Sequence, residues 1–227
     1  MTTARAQVAT ARWSRAPTAW IRSEGLRGFR AGSHLGVSIA ALKLLFAVIL
    51  HAENNAGDEI GPNQGSAALT YDELMSLTDL SRAMIAHGAR HLVKVGIVSI
   101  ERDGSRSPNR YRLAAYGSDH PWTRIPNRRW FRHAASDRIA TLRDLSCRRE
   151  CDLNALKLYL LFCAFANNKT QIAMIGFEKI EDYSGIPSGK ISPAISVLIE
   201  HGLVSVDRDK DPGATVNQPN KYEILGL

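Results

Sequence analysis

The chain has 227 residues, 44% of them hydrophobic, which suits one large domain or two of roughly 110 residues with ordinary cores. Its unbroken apolar runs, Leu44–Leu50 among them, are far below the roughly 20 residues a bilayer span needs, so no membrane segment is expected. With 29 Lys+Arg against 22 Asp+Glu the net charge is +7, a balance that favours a polyanionic partner over a cationic one.

The excess charge is concentrated. Residues 1–34 hold six Arg and one acid, Glu24. After them Ile39, Leu42, Leu45, Phe46 and Ile49 recur at helical spacing and predict a helix from about Ser38 to Ala52. Gly57 to Gly65 reads as a polar loop. Thr70 and Glu73 then have the spacing of a capping box that opens a short helix with Leu74 and Leu77 inward. A tight turn at Thr78–Leu80 leads to Ser81, placed to cap a longer helix running to about Lys94 with Ile85, Ala89 and Leu92 on its inner face. Gly96 stands where a left-handed residue ends such a helix. Ile97–Arg102 and Asn109–Leu113 flank Gly104 and Pro108 and predict a hairpin.

A turn-forming cluster, Gly117–Pro121, divides the chain into expected domains at 1–117 and 118–227. Residues 118–150 carry eight Arg against Asp119, Asp137, Asp144 and Glu150. Within that stretch Arg124, Arg128, Arg129 and Arg132 interleave with Trp122, Trp130 and Phe131. The aromatics are expected to pack inward, leaving the arginines either solvated or free to grip phosphates. Further helices are predicted at about Leu153–Asn167, Phe177–Tyr183 and Ser188–His201, with a small strand at Ile172–Ile175 and a hairpin from Leu203 to Ile224. Cys147, Cys151 and Cys163 form no paired framework, which suits a reducing, cytoplasmic setting. Cys147 and Cys151 lie four apart, as do His87 and His91, but neither pair has the further ligands a metal site needs, so no metal or other cofactor is expected.

The chain repeats itself. Ala41–Leu44 recurs as Ala155–Leu158, Val95–Asp103 as His201–Asp209, and Pro108–Leu113 as Pro219–Ile224, all in the same order. A fainter echo sets Pro17 and Trp20 against Pro126 and Trp130. The expected fold class is therefore α+β, mainly helical with small hairpins, formed by internal duplication.

Helix, short helix, tight turn, longer helix and hairpin occur in that order in each half. The segments Leu69–Gly104 with Asn109–Leu113, and Gly176–Lys210 with Asn220–Leu225, resemble the winged helix-turn-helix pattern of bacterial regulators and of plasmid or phage replication initiators. The likeness covers about 75 residues per half and is specific to the superfamily. Two such units in tandem resemble initiators more than single-unit repressors.

That resemblance implies double-stranded DNA as partner, with the longer helix in the major groove and the hairpin along the backbone or minor groove. In the first half it implies contacts from Ser81, Arg82, Ala83, Ala86, His87 and Arg90 on the helix, with Arg90 able to pair bidentately with guanine. Arg102, Arg106 and Arg110 are the hairpin candidates, while Arg112 is as well placed to pair with an acid in the sheet. The equivalent helix positions in the second half, Gly189, Ser192, Pro193 and Ser196, carry no charge. Pro193 also predicts a shortened or kinked helix, or one that starts only at Ser192. Backbone contacts there would fall to Lys190, Arg208, Lys210 and Lys221, joined by Arg128, Arg129 and Arg132. The first half is thus expected to supply specificity, and the second phosphate grip or a protein contact.

A transcription regulator bound to the bacterial nucleoid is the leading expectation. A replication initiator of a mobile element and a protein-interaction module are the alternatives, and a homodimer stays open. No phosphate loop, His-x-His nicking motif or activated nucleophile pattern occurs, so no enzymatic activity is expected.

Overall fold

A computed structural model describes residues 12–53, 63–102, 107–117, 119–131, 138–207 and 219–226. The protein is α+β, with two three-stranded antiparallel sheets and one two-stranded ribbon among the described residues. The first half comprises β1 (Trp13–Pro17), α1 (Ala19–Arg22), short 3₁₀ turns at Gly25–Gly28 and Gly32–His34, α2 (Leu35–His51), β2 (Ser66–Leu69), α3 (Tyr71–Thr78), α4 (Arg82–Lys94), β3 (Val98–Arg102) and β4 (Asn109–Leu113). The second comprises β5 (Trp122–Pro126), α5 (Ala140–Asp144), α6 (Glu150–Phe165), β6 (Ile172–Met174), α7 (Phe177–Ser184), α8 (Ser188–Glu200), β7 (Val204–Asp207) and β8 (Lys221–Ile224).

From α2 and from α6 onward the element order is the same, and so is the order of strands in each sheet: β2-β4-β3 and β6-β8-β7. The paired helices repeat at a constant spacing of 106 residues, Tyr71 to Phe177 and Lys94 to Glu200. Local chemistry sets these bounds. The Thr70–Glu73 capping box is formed on both sides, satisfying two amides at the start of α3. Between the paired helices the chain turns through a left-handed residue, Asp79 in one half and Gly185 in the other.

The central helices α2 and α6 are buried on nearly every face. Helix α2 begins three residues before the predicted Ser38, and with the turn ahead of it Gly32–His51 contains an 18-residue stretch of mean hydropathy 2.0. By length and composition this segment could cross a membrane, a property the count of unbroken apolar residues missed because Lys43 and small residues interrupt the run. Here 72% of that 18-residue stretch is buried inside the protein, where an all-round apolar helix serves as the core.

The halves interlock. Strands β1 and β5 pair antiparallel in a register symmetric about Arg15 and Arg124, with Trp13 opposite Pro126 and Pro17 opposite Trp122. The two indoles stack at 5.8 Å, Arg15 lies over Trp122 and Arg124 over Trp13, each guanidinium using the other strand's ring. Trp122 is therefore the counterpart of Trp13. Trp130, matched loosely with Trp20 on sequence, follows Pro126 as Trp20 follows Pro17 and sits fully buried against Phe46 and Tyr159 between α2 and α6. Past the ribbon each lead segment crosses over: α1 and the Gly25–Gly28 turn pack on α6 and α7, and α5 packs on α3. Arg27 donates to the Asp182 carbonyl and Arg143 pairs with Asp79, both beside the inter-helix turns.

The repeated Ala-Leu-Lys-Leu places one buried lysine in each central helix. Lys157 Nζ donates to the Phe29 carbonyl at 3.1 Å, and burial first, then Arg27, pushes its pKa down from 10.5 to about 8. Below pH 8 both folded and unfolded chains hold the proton and the fold bears the full cost of a buried charge. Between pH 8 and 10.5 only the unfolded chain holds it, so stability rises with pH across that window. We expect Lys157→Met to be more stable than the parent at pH 7. Its advantage should shrink by about 3 kcal/mol by pH 10.5, because each pH step within the window changes the parent's folding equilibrium about tenfold. Urea unfolding at a series of pH values checks this, and parallel pH profiles for the two proteins would refute it.

Candidate nucleic-acid interface

Helix α4 turns Ile85, Gly88, Ala89 and Leu92 into the core and is capped by the Ser81 hydroxyl, which accepts from the Met84 amide at 3.3 Å. Its other face is left to solvent. Arg82, Ala83, His87 and Arg90 are exposed and Ala86 is half-buried, so the sequence-predicted set lies together on one surface. Arg82 is paired with Asp72 across the inter-helix turn, an exposed ion pair that solvent screens. Arg90 bonds its own helix through Nε to the Ala86 carbonyl at 3.3 Å, and among the described residues it has no ion pair. His91, one turn from His87, instead faces inward against the Phe29 ring, and burial lowers its pKa.

The hairpin lies beside this helix. Its inner face carries Val98, Ile100 and Arg102; its outer face carries Ser99 and Glu101. Arg102 is held by the Asn109 side chain, which accepts from its Nε at 3.0 Å. A groove of about 480 Å³ runs between the two elements, with Ala86, Ala89, Arg90 and Val93 on the helix side and Ile100, Arg102 and Asn109 on the hairpin side; Tyr71 of α3 completes the lining. Two arginines and no carboxylate line it, so its charge suits an anion.

The remaining predicted residues are not drawn into this groove. Arg110 points to the other face of the sheet, where its guanidinium meets the Ser66 hydroxyl at 3.3 Å and Glu53 at 3.9 Å. Arg112 pairs with Glu101 at 3.2 Å, the in-sheet alternative left open from sequence. Arg106, Arg132, Arg208 and Lys210 lie outside the described residues. Arg128 is exposed, and Arg129 packs beside Gly202 and Gly226, at the end of β8 away from its hairpin. Lys221 is half-buried on β8.

In the second half α8 starts at Ser188, not Ser192, and keeps Pro193 inside the helix without one backbone donor. Gly189, Ser192, Pro193 and Ser196 are all exposed, as predicted for the outward face. Lys190 is bound to Glu150 at 2.7 Å. The two helix surfaces therefore differ, one cationic and one neutral.

Sequence reasoning missed Val93 and Ile100 as groove walls and Tyr71 as part of its lining. Val93 lies on the same stripe of α4 as Ala86 and Arg90, so helical spacing carried that signal. Among the described residues no group of three or more His, Cys, Asp or Glu could hold a metal ion. A scan against models of known protein families finds no match for this chain, and a search of curated proteins finds none.

Proposed function

We propose that the chain is a site-specific double-stranded DNA-binding protein, built as two duplicated winged helix-turn-helix units joined by the β1–β5 ribbon. The observation that carries this reading is the open face of α4, with Arg90 unpaired in any ion bridge among the described residues and next to a carboxylate-free groove rimmed by Arg102. A helix in the major groove reads base edges with such a face, and an arginine there pairs with guanine. The repeated order of helices and strands, and the repeated sheet order, support the duplication.

In this reading the first unit reads sequence and the second adds grip, most naturally in regulating transcription; initiating replication of a mobile element is the close alternative. A second reading has its own support: the uncharged face of α8 suits a protein contact by the second unit.

Gel shifts over a salt series, using random and genomic duplexes, test the proposal. At least one genomic fragment is expected to bind about 10³-fold or more tighter than random DNA, with affinity falling steeply as salt rises. No preference for any fragment would hand both faces to protein partners.

A further inference from the structure

Two apolar side chains stand out of the surface on opposite walls of the groove beside α4: Val93, 45% exposed, and Ile100, 37% exposed. The second half repeats the pair, with Ile199, 42% exposed, at the position of Val93 and Val206 at that of Ile100. The neighbouring positions do not repeat: Arg90 is matched by Ser196, and Ala86 by Ser192. A feature kept while base-reading positions change fits the part of a duplex that does not vary with sequence, its sugar–phosphate backbone. A helix in one groove and a hairpin over the next must straddle the strand between them.

We infer that the cleft between α4 and the β3–β4 hairpin seats one deoxyribose–phosphate strand, and that Val93 and Ile100 select deoxyribose over ribose. This rests on the duplex-DNA reading above. Arg102 at the rim matches the phosphate charge while Arg90 is left to the bases, and the apolar walls match the C2′ methylene face of the sugar. The walls formed by Ala86, Ala89, Val93 and Ile100 carry no hydrogen-bonding side chain, and the one hydroxyl lining the cleft, that of Tyr71, belongs to α3 and to neither wall. Asn109 is already engaged, accepting from Arg102 and donating through Nδ2 to the Tyr111 hydroxyl at 3.4 Å. A 2′-hydroxyl pressed against these walls loses water without a replacement partner.

The test uses the full chain and its tightest genomic fragment, cut to about three helical turns, with single ribonucleotides placed one at a time along each strand. One or two adjacent positions on one strand are expected to weaken Kd about tenfold, the cost of one unsatisfied hydroxyl, and the others little. Val93→Ser and Ile100→Thr are expected to bring that ratio below about threefold by giving the hydroxyl a partner, while Met174→Ser, exposed on β6 in the second half, leaves it unchanged. A flat profile, or a penalty that survives both wall variants, overturns the inference while leaving DNA binding intact. So does a Val93→Asp chain that binds the all-deoxy fragment as well as the parent, which would give the cleft to a protein segment. Absence of any preferred fragment overturns the DNA reading and this inference together.

Discussion

Gly88→Ala is expected to lower the stability of the fold by about 2 kcal/mol, within the range for overpacked cores, while Gly189→Ala raises it by about 0.5 kcal/mol through helix propensity. Both glycines lie inside outward-facing helices of the two halves, so propensity alone makes alanine the better residue at each. Contact decides otherwise at Gly88. A Cβ there would stand 2.9 Å from the Ala40 carbonyl carbon, the Ala41 amide nitrogen and a Leu44 methyl, and the first two are backbone that cannot swing aside. Helix α4 approaches α2 this closely because position 88 has no side chain. At Gly189 nothing lies within 4 Å. Chemical denaturation of the three proteins reads both signs. A stabilised Gly88→Ala chain would mean that α4 packs further from α2 than these contacts require.

Arg90→Glu is expected to erase most of the preference for a cognate fragment. A bidentate arginine–guanine pair is worth about 1–3 kcal/mol of discrimination, so the ratio of cognate to random affinity should fall roughly 10- to 100-fold. Random DNA should also bind more weakly, because a cation becomes an anion, and the salt slope should lessen by about two charges. Lys210→Ala supplies the contrast: removing one phosphate-binding charge lowers affinity for cognate and random duplexes alike. Arg90 is exposed and its lost bond runs to its own helix, so the variant should fold normally. Equal loss of preference in both variants would sink the assignment of sequence reading to the first unit.

Much of the local fold was legible because it rests on neighbours in sequence. Thr70 with Glu73, Ser81 before α4 and Gly96 after it act within one helical turn, and each takes its predicted conformation. Strand β2 was not foreseen. Ser66–Leu69 holds no β-branched residue, and only its partner Asn109–Arg112 makes it a strand. The ribbon was hidden for a different reason: Trp13 and Trp122 are linked by pairing across the whole first half, and the sequence echo began only at Pro17 and Pro126, the last residues of the two strands. The candidate site divides the same way. Helical spacing put Ala83, Ala86, His87 and Arg90 on one face, whereas the separation of Arg110 from Arg102 depends on which side of a strand each occupies. Alternation along β4 contained that information, yet it could be used only once the register was known.

The reciprocal docking of the lead segments governs how the protein can be made. Lys157 reaches a carbonyl 128 residues earlier in the chain, and Arg27 one 155 residues later. Residues emerging first from the ribosome therefore wait for partners not yet synthesised, with the indole of Trp13 and the apolar turn at Leu26 uncovered meanwhile. Neither half can complete its structure ahead of the other. Closing such long loops before the contacts reward it slows folding, so one late, concerted step should complete both halves at once.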